Sequence, residues 1–349
     1  MISIKRLFGT KTSSSKVLDL VDGIMKGSRY SLAKSITLIE SKKKEHQIEA
    51  EKLLSTLSSS SNNKIKKTNN DTFRIGIAGP PGAGKSTFIE RLGLKFIKEL
   101  NQRVAVLAVD PSSHITGGSI MGDKTRMDIL SNHNDAYVRG TPTSGVLGGI
   151  AAHTADVLYL CEACNYDIII VESVGLGQSE VEIDQAVDVL ILVIPPGGGD
   201  DLQASKKGIM EAADIIIVNK ADGNFLTSAK HTKADYNSYV QFLRKKDPNW
   251  KIKVMMHSNI TNKGFENVFN TLLEYKNIMK SSGSLTQKRK KQSKHWMWTH
   301  LKRELLQELN QNRIVNETAE NFYNIVSDGS MSSRVAARKL LKRFLKKEN

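Results

Sequence analysis

The feature that most constrains the fold of this chain is the stretch at residues 74–87, RIGIAGPPGAGKST. Ile75 and Ile77 alternate with small and polar residues as in a β-strand, a glycine-rich turn follows, and Lys85 and Ser86 open a helix. The stretch contains the complete pattern G-x-x-x-x-G-K-S in its required strand-to-helix context. Glycines let backbone N–H groups surround a phosphate, and the helix N-terminus adds partial positive charge.

This pattern predicts a site for a nucleoside triphosphate. Lys85 is expected to reach the terminal phosphates, and the Ser86 hydroxyl is expected to ligate Mg²⁺. A purely structural glycine-rich turn is the alternative, and the strand-to-helix context argues against it. The predicted phosphate-binding residues are Gly79, Pro80, Pro81, Gly82, Ala83, Gly84, Lys85, Ser86 and Thr87.

From residue 72 the chain alternates short β-rich runs with amphipathic helices. Near-continuous runs of Val and Ile are typical of strands that are covered on both faces. Helices between such strands imply right-handed crossovers and a mostly parallel sheet, with ligands at the carboxyl ends of its strands. We therefore predict an α/β fold of the P-loop NTPase type. Its predicted strands are FRIGIAG, RVAVLAVD, DAYVRG, YDIIIVES, VDVLILVI, ADIIIVNK and KIKVMMHS.

Helices are predicted at both ends of the chain. Helical periodicity marks residues 17–57, and the polar, low-complexity segment 58–71 predicts a linker to a nucleotide-binding domain at 72–283. Residues 284–349 are predicted to form a C-terminal helical arm. Its residues 295–310, HWMWTHLKRELLQELN, form one amphipathic helix whose tryptophans belong either to a core or to an interface with a partner subunit.

The first sixteen residues, MISIKRLFGTKTSSSK, are basic, free of acidic residues and rich in Ser and Thr. That composition is typical of an amphipathic mitochondrial targeting peptide. A disordered basic tail is the alternative. We favour targeting for residues 1–16.

Composition narrows the class of partner. The formal net charge is +15, and parts of it lie in the first eighteen residues, in KRKK at 288–291 and in the final predicted helix. No nucleic-acid reading motif accompanies these segments, so nucleic acid is not favoured. No apolar run approaches the roughly 18 residues that a membrane span requires.

The two cysteines, Cys161 and Cys164, argue for a reducing compartment, and we favour core packing for them over a redox or metal site.

A second motif predicts which base is bound. The strand IIIV runs into Asn219-Lys220-x-Asp222, the N-K-x-D arrangement of guanine-specific G proteins. A carboxylate at Asp222 accepts from the ring N–H and the exocyclic amine of guanine, which adenine lacks at that place, and Lys220 covers the base with its stem. Ser258, Asn259 and Ile260 follow the last predicted strand, where G proteins use backbone to read the guanine oxygen. Asn259 replaces the usual Ala there.

Magnesium requires oxygen ligands. Asp110 and Glu172 each end a predicted strand on the phosphate side, and Asp123 lies in the loop TGGSIMGDKTRM, so these three are candidates to join Ser86 as metal ligands. Leu176 stands where many small GTPases carry the Gln that orients water. We therefore expect slow intrinsic hydrolysis of GTP that a partner accelerates.

Several further segments give the chain a family resemblance. SLAKSITLIES, DPSS, TGGSIMGDKTRM, TPTSGVLGGIA, ESVGLGQSE, PPGGGDDLQASKKGIMEAADIIIVNKADG and HWMW resemble the methylmalonyl-CoA mutase-associated G proteins. These are the MeaB and methylmalonic aciduria type A proteins, once described as ArgK transport kinases. The resemblance runs from about residue 17 to about residue 343. Ser173, Gly140 and Asn259 depart from the usual family residues without removing a phosphate or metal ligand.

The resemblance implies a homodimeric GTPase with a SIMIBI-type G domain, binding GTP or GDP with Mg²⁺. It implies protection and reloading of adenosylcobalamin-dependent methylmalonyl-CoA mutase, with cobalamin reached only through that enzyme. An adenosylcobalamin-delivering adenosyltransferase is a further possible partner. The helical arm would support dimerisation, and the location would be the mitochondrial matrix in a eukaryote and the cytoplasm otherwise.

By the same resemblance, residues 197–208 form an extra switch that senses the mutase. Three consecutive glycines at its start, residues 197–199, give the segment conformational freedom, and its charges can pair in one state and separate in another. An ordinary solvated loop is the alternative reading. The predicted catalytic residues are Lys85, Glu172, Asp200 and Lys206.

Two other functions share parts of this sequence pattern. A small-molecule or protein kinase requires a general base and an acceptor pocket, neither of which the sequence identifies. A metal-insertion GTPase shares the nucleotide chemistry but usually carries His- or Cys-rich tracts, and the eight histidines here are scattered.

Overall fold

The computed structural model describes residues 13–41, 43–60, 72–110, 127–142, 153–173, 179–197 and 207–345. The chain divides into two compact units, residues 1–290 and 291–349. Across the described ranges, no helix is both long enough and apolar enough to cross a membrane.

The first unit is built on a parallel β-sheet. Its strands are β1 (Phe73–Ala78), β2 (Val104–Asp110), β3 (Ala136–Pro142), β4 (Ile168–Glu172), β5 (Val189–Ile194), β6 (Ile215–Val218) and β7 (Lys253–Met256). They lie in the order β3-β2-β4-β1-β5-β6-β7, and each neighbouring pair is parallel. All residues of β4, β5 and β6 are buried, as expected for strands covered on both faces. The predicted α/β fold is confirmed.

Helices precede, separate and follow the strands. In chain order they are α1 (Ser13–Met25), α2 (Arg29–Glu40), α3 (Lys44–Ser60), α4 (Lys85–Leu100), α5 (Asp128–Ser131), α6 (Thr154–Ala163), α7 (Ser179–Asp184), α8 (Lys207–Ala212), α9 (Leu226–Val240), α10 (Phe265–Ser281), α11 (Ser284–Gln311), α12 (Arg313–Ser327) and α13 (Ser333–Leu345).

The three N-terminal helices form a small bundle that packs on the β3 side of the first unit. Apolar residues at helical spacing, such as Leu32 and Ile36 of α2, are fully buried. Arg139 of β3 joins the bundle to the sheet, because its guanidinium donates to the Ala33 carbonyl at 3.2 Å and to the Glu40 carboxylate at 2.6 Å. The bundle is therefore attached through apolar packing and a partly buried ion pair.

Helix boundaries differ from the sequence pattern at two places. Helix α3 continues through Ser60, so the first three residues of the predicted linker are helical, and residues 61–71 lie outside the described ranges. Helix α11 starts at Ser284, eleven residues before the amphipathic pattern begins. Residues 1–12 of the predicted targeting segment are also outside the described ranges.

The two cysteines behave as core residues. Cys161 of α6 and Cys164, which follows it, are both buried as free thiols. Burial raises the pKa of the Cys164 thiol to about 11 and raises the pKa of Cys161 further above its ordinary value. Such thiols are poor nucleophiles, so the structure agrees with core packing.

Candidate active site

The glycine-rich loop connects the buried strand β1 to the helix α4. Gly79, Gly82 and Gly84 all adopt positive φ angles, of 155°, 75° and 88°. A β-carbon on Gly79 would lie 2.0 Å from the Val193 carbonyl oxygen of the neighbouring strand β5. A loop of this shape is available to glycine and strained for other residues.

Lys85 and Ser86, the first residues of α4, point into the region enclosed by this loop. Lys85 is buried, and its ammonium group donates to the carbonyl oxygens of Gly79 at 2.9 Å and Pro80 at 3.2 Å. The Ser86 hydroxyl donates to the Glu172 carboxylate at 3.2 Å. Pro81, Gly82 and Thr87 are exposed, and Ala83 is buried.

Two of the four predicted Mg²⁺ ligands, Ser86 and Glu172, have described side chains, and these meet beside the phosphate loop. Glu172 ends β4 directly beside Ile77 of β1, so its buried carboxylate meets Ser86 at the carboxyl edge of the sheet. Asp110 ends β2 at the same edge, but its side chain is outside the described part, as is the whole of Asp123. A hydroxyl and a carboxylate in contact beside a phosphate loop fit a hard divalent cation such as Mg²⁺.

The guanine motif follows β6. Buried Asn219 donates from its amide to the Ala83 carbonyl at 2.7 Å. Exposed Lys220 takes a left-handed backbone conformation, with φ of 57°. Asp222 accepts a hydrogen bond from the Ser258 hydroxyl. The motif therefore lies directly against the phosphate loop.

The loop after β7 is organised by the hydroxyl of Ser258. This oxygen accepts from the backbone N–H groups of Ile260 at 3.2 Å and Thr261 at 3.0 Å while donating to Asp222. The Asn259 amide donates to the Gly84 carbonyl at 3.1 Å, and the Ile260 side chain is 82% exposed. The structure thus brings the two base-reading segments and the phosphate loop together.

His257 was missed by the sequence interpretation. It is fully buried, and its Nδ1 lies 3.0 Å from the Asn219 side-chain oxygen. Its ring packs edge-on against Phe88, with centroids 5.4 Å apart, and lies 5.7 Å from Phe265. Burial lowers the pKa of His257 to about 4, and the charge of Arg91 contributes to the same shift. The sequence offered one sign that His257 belongs to the site, which is its position directly before Ser258. No local sequence pattern distinguishes it from an ordinary core histidine.

The predicted switch residues remain predictions. Asp200 and Lys206 lie outside the described ranges, and so does Leu176. Gly197, the last described residue before that segment, has φ of 81°, and its N–H donates to the Thr232 hydroxyl at 3.1 Å. Among the described residues, no cluster of three or more His, Cys, Asp or Glu side chains could hold a metal ion.

Comparison with known proteins identifies the family. Residues 32–314 match the family model described as methylmalonyl-CoA mutase-associated GTPase MeaB. The chain belongs to the MeaB family. The predicted family is confirmed, and so is the predicted GTPase activity, which this membership favours over the kinase alternative.

Named relatives of this MeaB-family GTPase come from animals and bacteria. It is 41% identical over 327 residues to the mitochondrial methylmalonic aciduria type A homolog of Mus musculus, covering 93% of this chain and 79% of the relative. It is 39% identical to GTPase ArgK of Escherichia coli (strain K12), covering 91% and 93% of the two chains. A crystal structure titled LAO/AO transport system kinase superposes with a TM-score of 0.72 at 30% identity, covering 97% of this chain and 99% of that one.

Proposed function

We propose that this chain is a GTP-hydrolysing chaperone that protects adenosylcobalamin-dependent methylmalonyl-CoA mutase and gates the reloading of its cofactor. One observation carries the proposal: the site joins a phosphate loop to a guanine-reading motif in a family defined by association with that mutase. Cobalamin would reach this chain only through the partner enzyme. An adenosylcobalamin-delivering adenosyltransferase would act as a further partner.

Different residues of the site bind the phosphates, the base and Mg²⁺. The backbone N–H groups of the phosphate loop and Lys85 bind the phosphates, and Asp222 accepts from the guanine N–H groups. Ser86 and Glu172, with Asp110 and Asp123, would hold Mg²⁺, which neutralises phosphate charge when bound. Lys220 covers the base, and the backbone of Asn259 and Ile260 reads the guanine oxygen.

Coupling to the mutase is assigned to residues 197–208. The segment follows β5 at the carboxyl edge of the sheet, the same edge that carries the phosphate loop. We assign Asp200 and Lys206 as its working residues, with Lys206 supplying positive charge to the hydrolytic site or holding the active loop. Binding of the mutase would then raise a slow basal rate of hydrolysis.

The proposal extends to assembly and location. The C-terminal helical arm would hold two copies of the chain together as a homodimer. The named animal relatives are mitochondrial proteins, and residues 1–16 have the composition of a targeting peptide, which supports the mitochondrial matrix as the location in a eukaryotic cell.

The test measures GTP hydrolysis alone and with methylmalonyl-CoA mutase, in its apo and its adenosylcobalamin-loaded forms. We expect the mutase to raise the rate by about tenfold or more. We also expect the mutase to lose activity more slowly during turnover when the chain and GTP are present. Unchanged hydrolysis together with unchanged mutase lifetime would overturn the proposal.

Two variants separate base reading from coupling. Asp222→Asn replaces a carboxylate that accepts from two N–H groups of guanine by an amide that can donate. The variant should therefore lose GTP affinity by about 100-fold or more. It should hydrolyse xanthosine triphosphate (XTP) instead, because xanthine has an extra carbonyl group that accepts from this amide. The mutase should then stimulate its XTP hydrolysis.

Lys206→Ala should keep near-normal basal GTP hydrolysis but lose the stimulation, whereas Lys230→Ala, at an exposed lysine of α9, should keep both. Equal stimulation of Lys206→Ala and wild type would reject the coupling role.

A further inference from the structure

Two side-chain amides from different base-reading segments hold adjacent carbonyl groups of the phosphate loop. Asn219, after β6, donates to the Ala83 carbonyl at 2.7 Å. Asn259, after β7, donates to the Gly84 carbonyl at 3.1 Å. The second contact uses the residue that departs from the usual Ala of G proteins. The loop that reads the base is thus tied to the loop that binds the phosphates.

The two amides fit closely around Gly84. A β-carbon at this glycine would lie 2.4 Å from the Asn219 amide nitrogen and 2.8 Å from that of Asn259. The orientation of the Asn259 amide is defined by this packing, because the reverse orientation would place its oxygen against the Gly84 carbonyl oxygen. Because a β-carbon at residue 84 would collide with both amide nitrogens, both hydrogen bonds depend on glycine at this position.

His257 fixes the orientation of the first amide. Since the Asn219 nitrogen already donates to Ala83, its oxygen must be the atom that faces His257, and the ring donates to it from Nδ1. The other ring nitrogen has no hydrogen-bond partner in the described part of the chain, which suits a neutral ring with one proton on Nδ1. Phe88 and Phe265 hold the ring plane.

The backbone of His257 reinforces this arrangement. Its N–H donates to the Val218 carbonyl at 2.9 Å, and its carbonyl accepts from the Ala221 N–H at 3.0 Å, one residue before and two residues after Asn219. The residue is therefore bound to the guanine motif through main chain and side chain together. A shift of the loop after β7 would be transmitted directly to Asn219.

We propose that Asn259 and His257 are positioning residues that lock the base-reading loops onto the phosphate loop and so slow the release of bound guanine nucleotide. Neither side chain needs to touch the base for this role. A hydrogen bond between neutral groups changes an equilibrium by roughly fivefold, which sets the size of effect expected from losing one tie. The inference concerns nucleotide retention by the chain alone and does not depend on the mutase.

The test measures dissociation of a fluorescent GDP analogue, mant-GDP, together with KM and kcat for GTP. Asn259→Ala should release mant-GDP about three to ten times faster and raise KM similarly, while kcat stays within about twofold of wild type. Asn259→Asp keeps the shape but cannot donate to Gly84, so it should release at least as fast as Asn259→Ala. The ratio of GTP to XTP affinity should not change in Asn259→Ala.

Matched variants keep the outcome interpretable. Thr261→Ala, an exposed position two residues along the same loop, should release mant-GDP at the wild-type rate. His257→Leu removes the ring N–H donor at similar side-chain volume and should also accelerate the release of mant-GDP. If His257→Leu does not fold, the Asn259 variants alone decide the test. Wild-type release rates in both Asn259 variants would overturn the proposal. A changed base preference in Asn259→Ala with unchanged release would also overturn it, because it would make the Asn259 side chain a base-reading group.

Discussion

At the scale of the residue, the end of the site that we propose reads the base contains a histidine that carries no charge. His257 has no exposed surface, and burial lowers its pKa to about 4, compared with about 6.5 for an ordinary histidine. The charge of Arg91 adds to the same shift. The ring therefore remains neutral at physiological pH and keeps one N–H for Asn219.

This histidine should make the folded chain sensitive to acid. The unfolded chain binds the proton below about pH 6.5, whereas the folded chain resists it until about pH 4, so the stability is fully present above pH 6.5 and is lost as the pH falls towards 4. We expect His257→Gln to lose less stability over that interval than wild type, by up to about 3 kcal/mol. Urea unfolding at pH 7, 6, 5 and 4.5 measures the difference.

An exposed histidine provides the control for the acid experiment. His231→Gln on α9 should retain the pH dependence of wild type. Parallel curves for wild type and His257→Gln would show that His257 does not cause the acid sensitivity.

At the scale of the element, the first turns of α11 are fixed to the sheet by buried charges. The Arg289 guanidinium donates to both carboxylate oxygens of Asp188, at 2.6 and 2.8 Å, and the Arg74 backbone N–H donates to the same carboxylate at 2.8 Å. Burial alone would raise the pKa of Asp188, but the hydrogen bonds and charge of Arg289 lower it overall. Lys288 donates to Asp184 at the end of α7, at 2.9 Å.

Removing one partner of this pair should be costly. Arg289→Ala leaves the fully buried Asp188 carboxylate without its main counter-charge, and we expect the free energy of unfolding to fall by about 3–5 kcal/mol. The neighbouring Lys290 is exposed, so Lys290→Ala should change the free energy of unfolding by less than about 0.5 kcal/mol. Urea denaturation of both variants makes the comparison. Similar small losses in the two variants would mean that the ion pair contributes little.

At the scale of the whole molecule, the second unit exposes an apolar stripe on α11. Trp298, Leu301 and Leu305 recur on α11 at spacings of three and four residues, and each is more than 40% exposed. An apolar stripe of this kind on a helix usually packs against another element. It is the surface that a homodimer through the helical arm would cover.

The proposed dimer makes the stripe testable. Trp298→Asp and Leu305→Asp each place a charge on it and should shift the chain from dimer to monomer in light scattering coupled to size-exclusion chromatography. GTP binding should be retained, because both positions lie outside the nucleotide-binding unit. Lys302→Asp, a charge change at an exposed residue of the same helix, should leave the mass unchanged. A wild-type monomer, or dimeric variants, would exclude this surface as the interface.

The sequence alone determined the features that are written in local patterns. The phosphate loop between β1 and α4, the strands and the Asn219-Lys220-x-Asp222 motif could all be read directly, because runs of Val and Ile and glycine at fixed offsets reflect local sterics and burial. The start of α11 could not, since its lysine-rich first turns lack apolar periodicity. They are held by Asp184 and Asp188, about a hundred residues earlier in the chain.

Only the tertiary structure decided how the base-reading loops meet the phosphate loop. Asn259 and Gly84 are 175 positions apart in sequence, and His257 and Asn219 are 38 apart. Their contacts depend on the strand order that places β6 and β7 on the same side of β1. Sequence spacing carries no record of that order, because a hydrogen bond between distant residues is set by the packing of the elements that present them. The role proposed for Asn259 therefore rests on its contact with the Gly84 carbonyl, which only the tertiary structure shows.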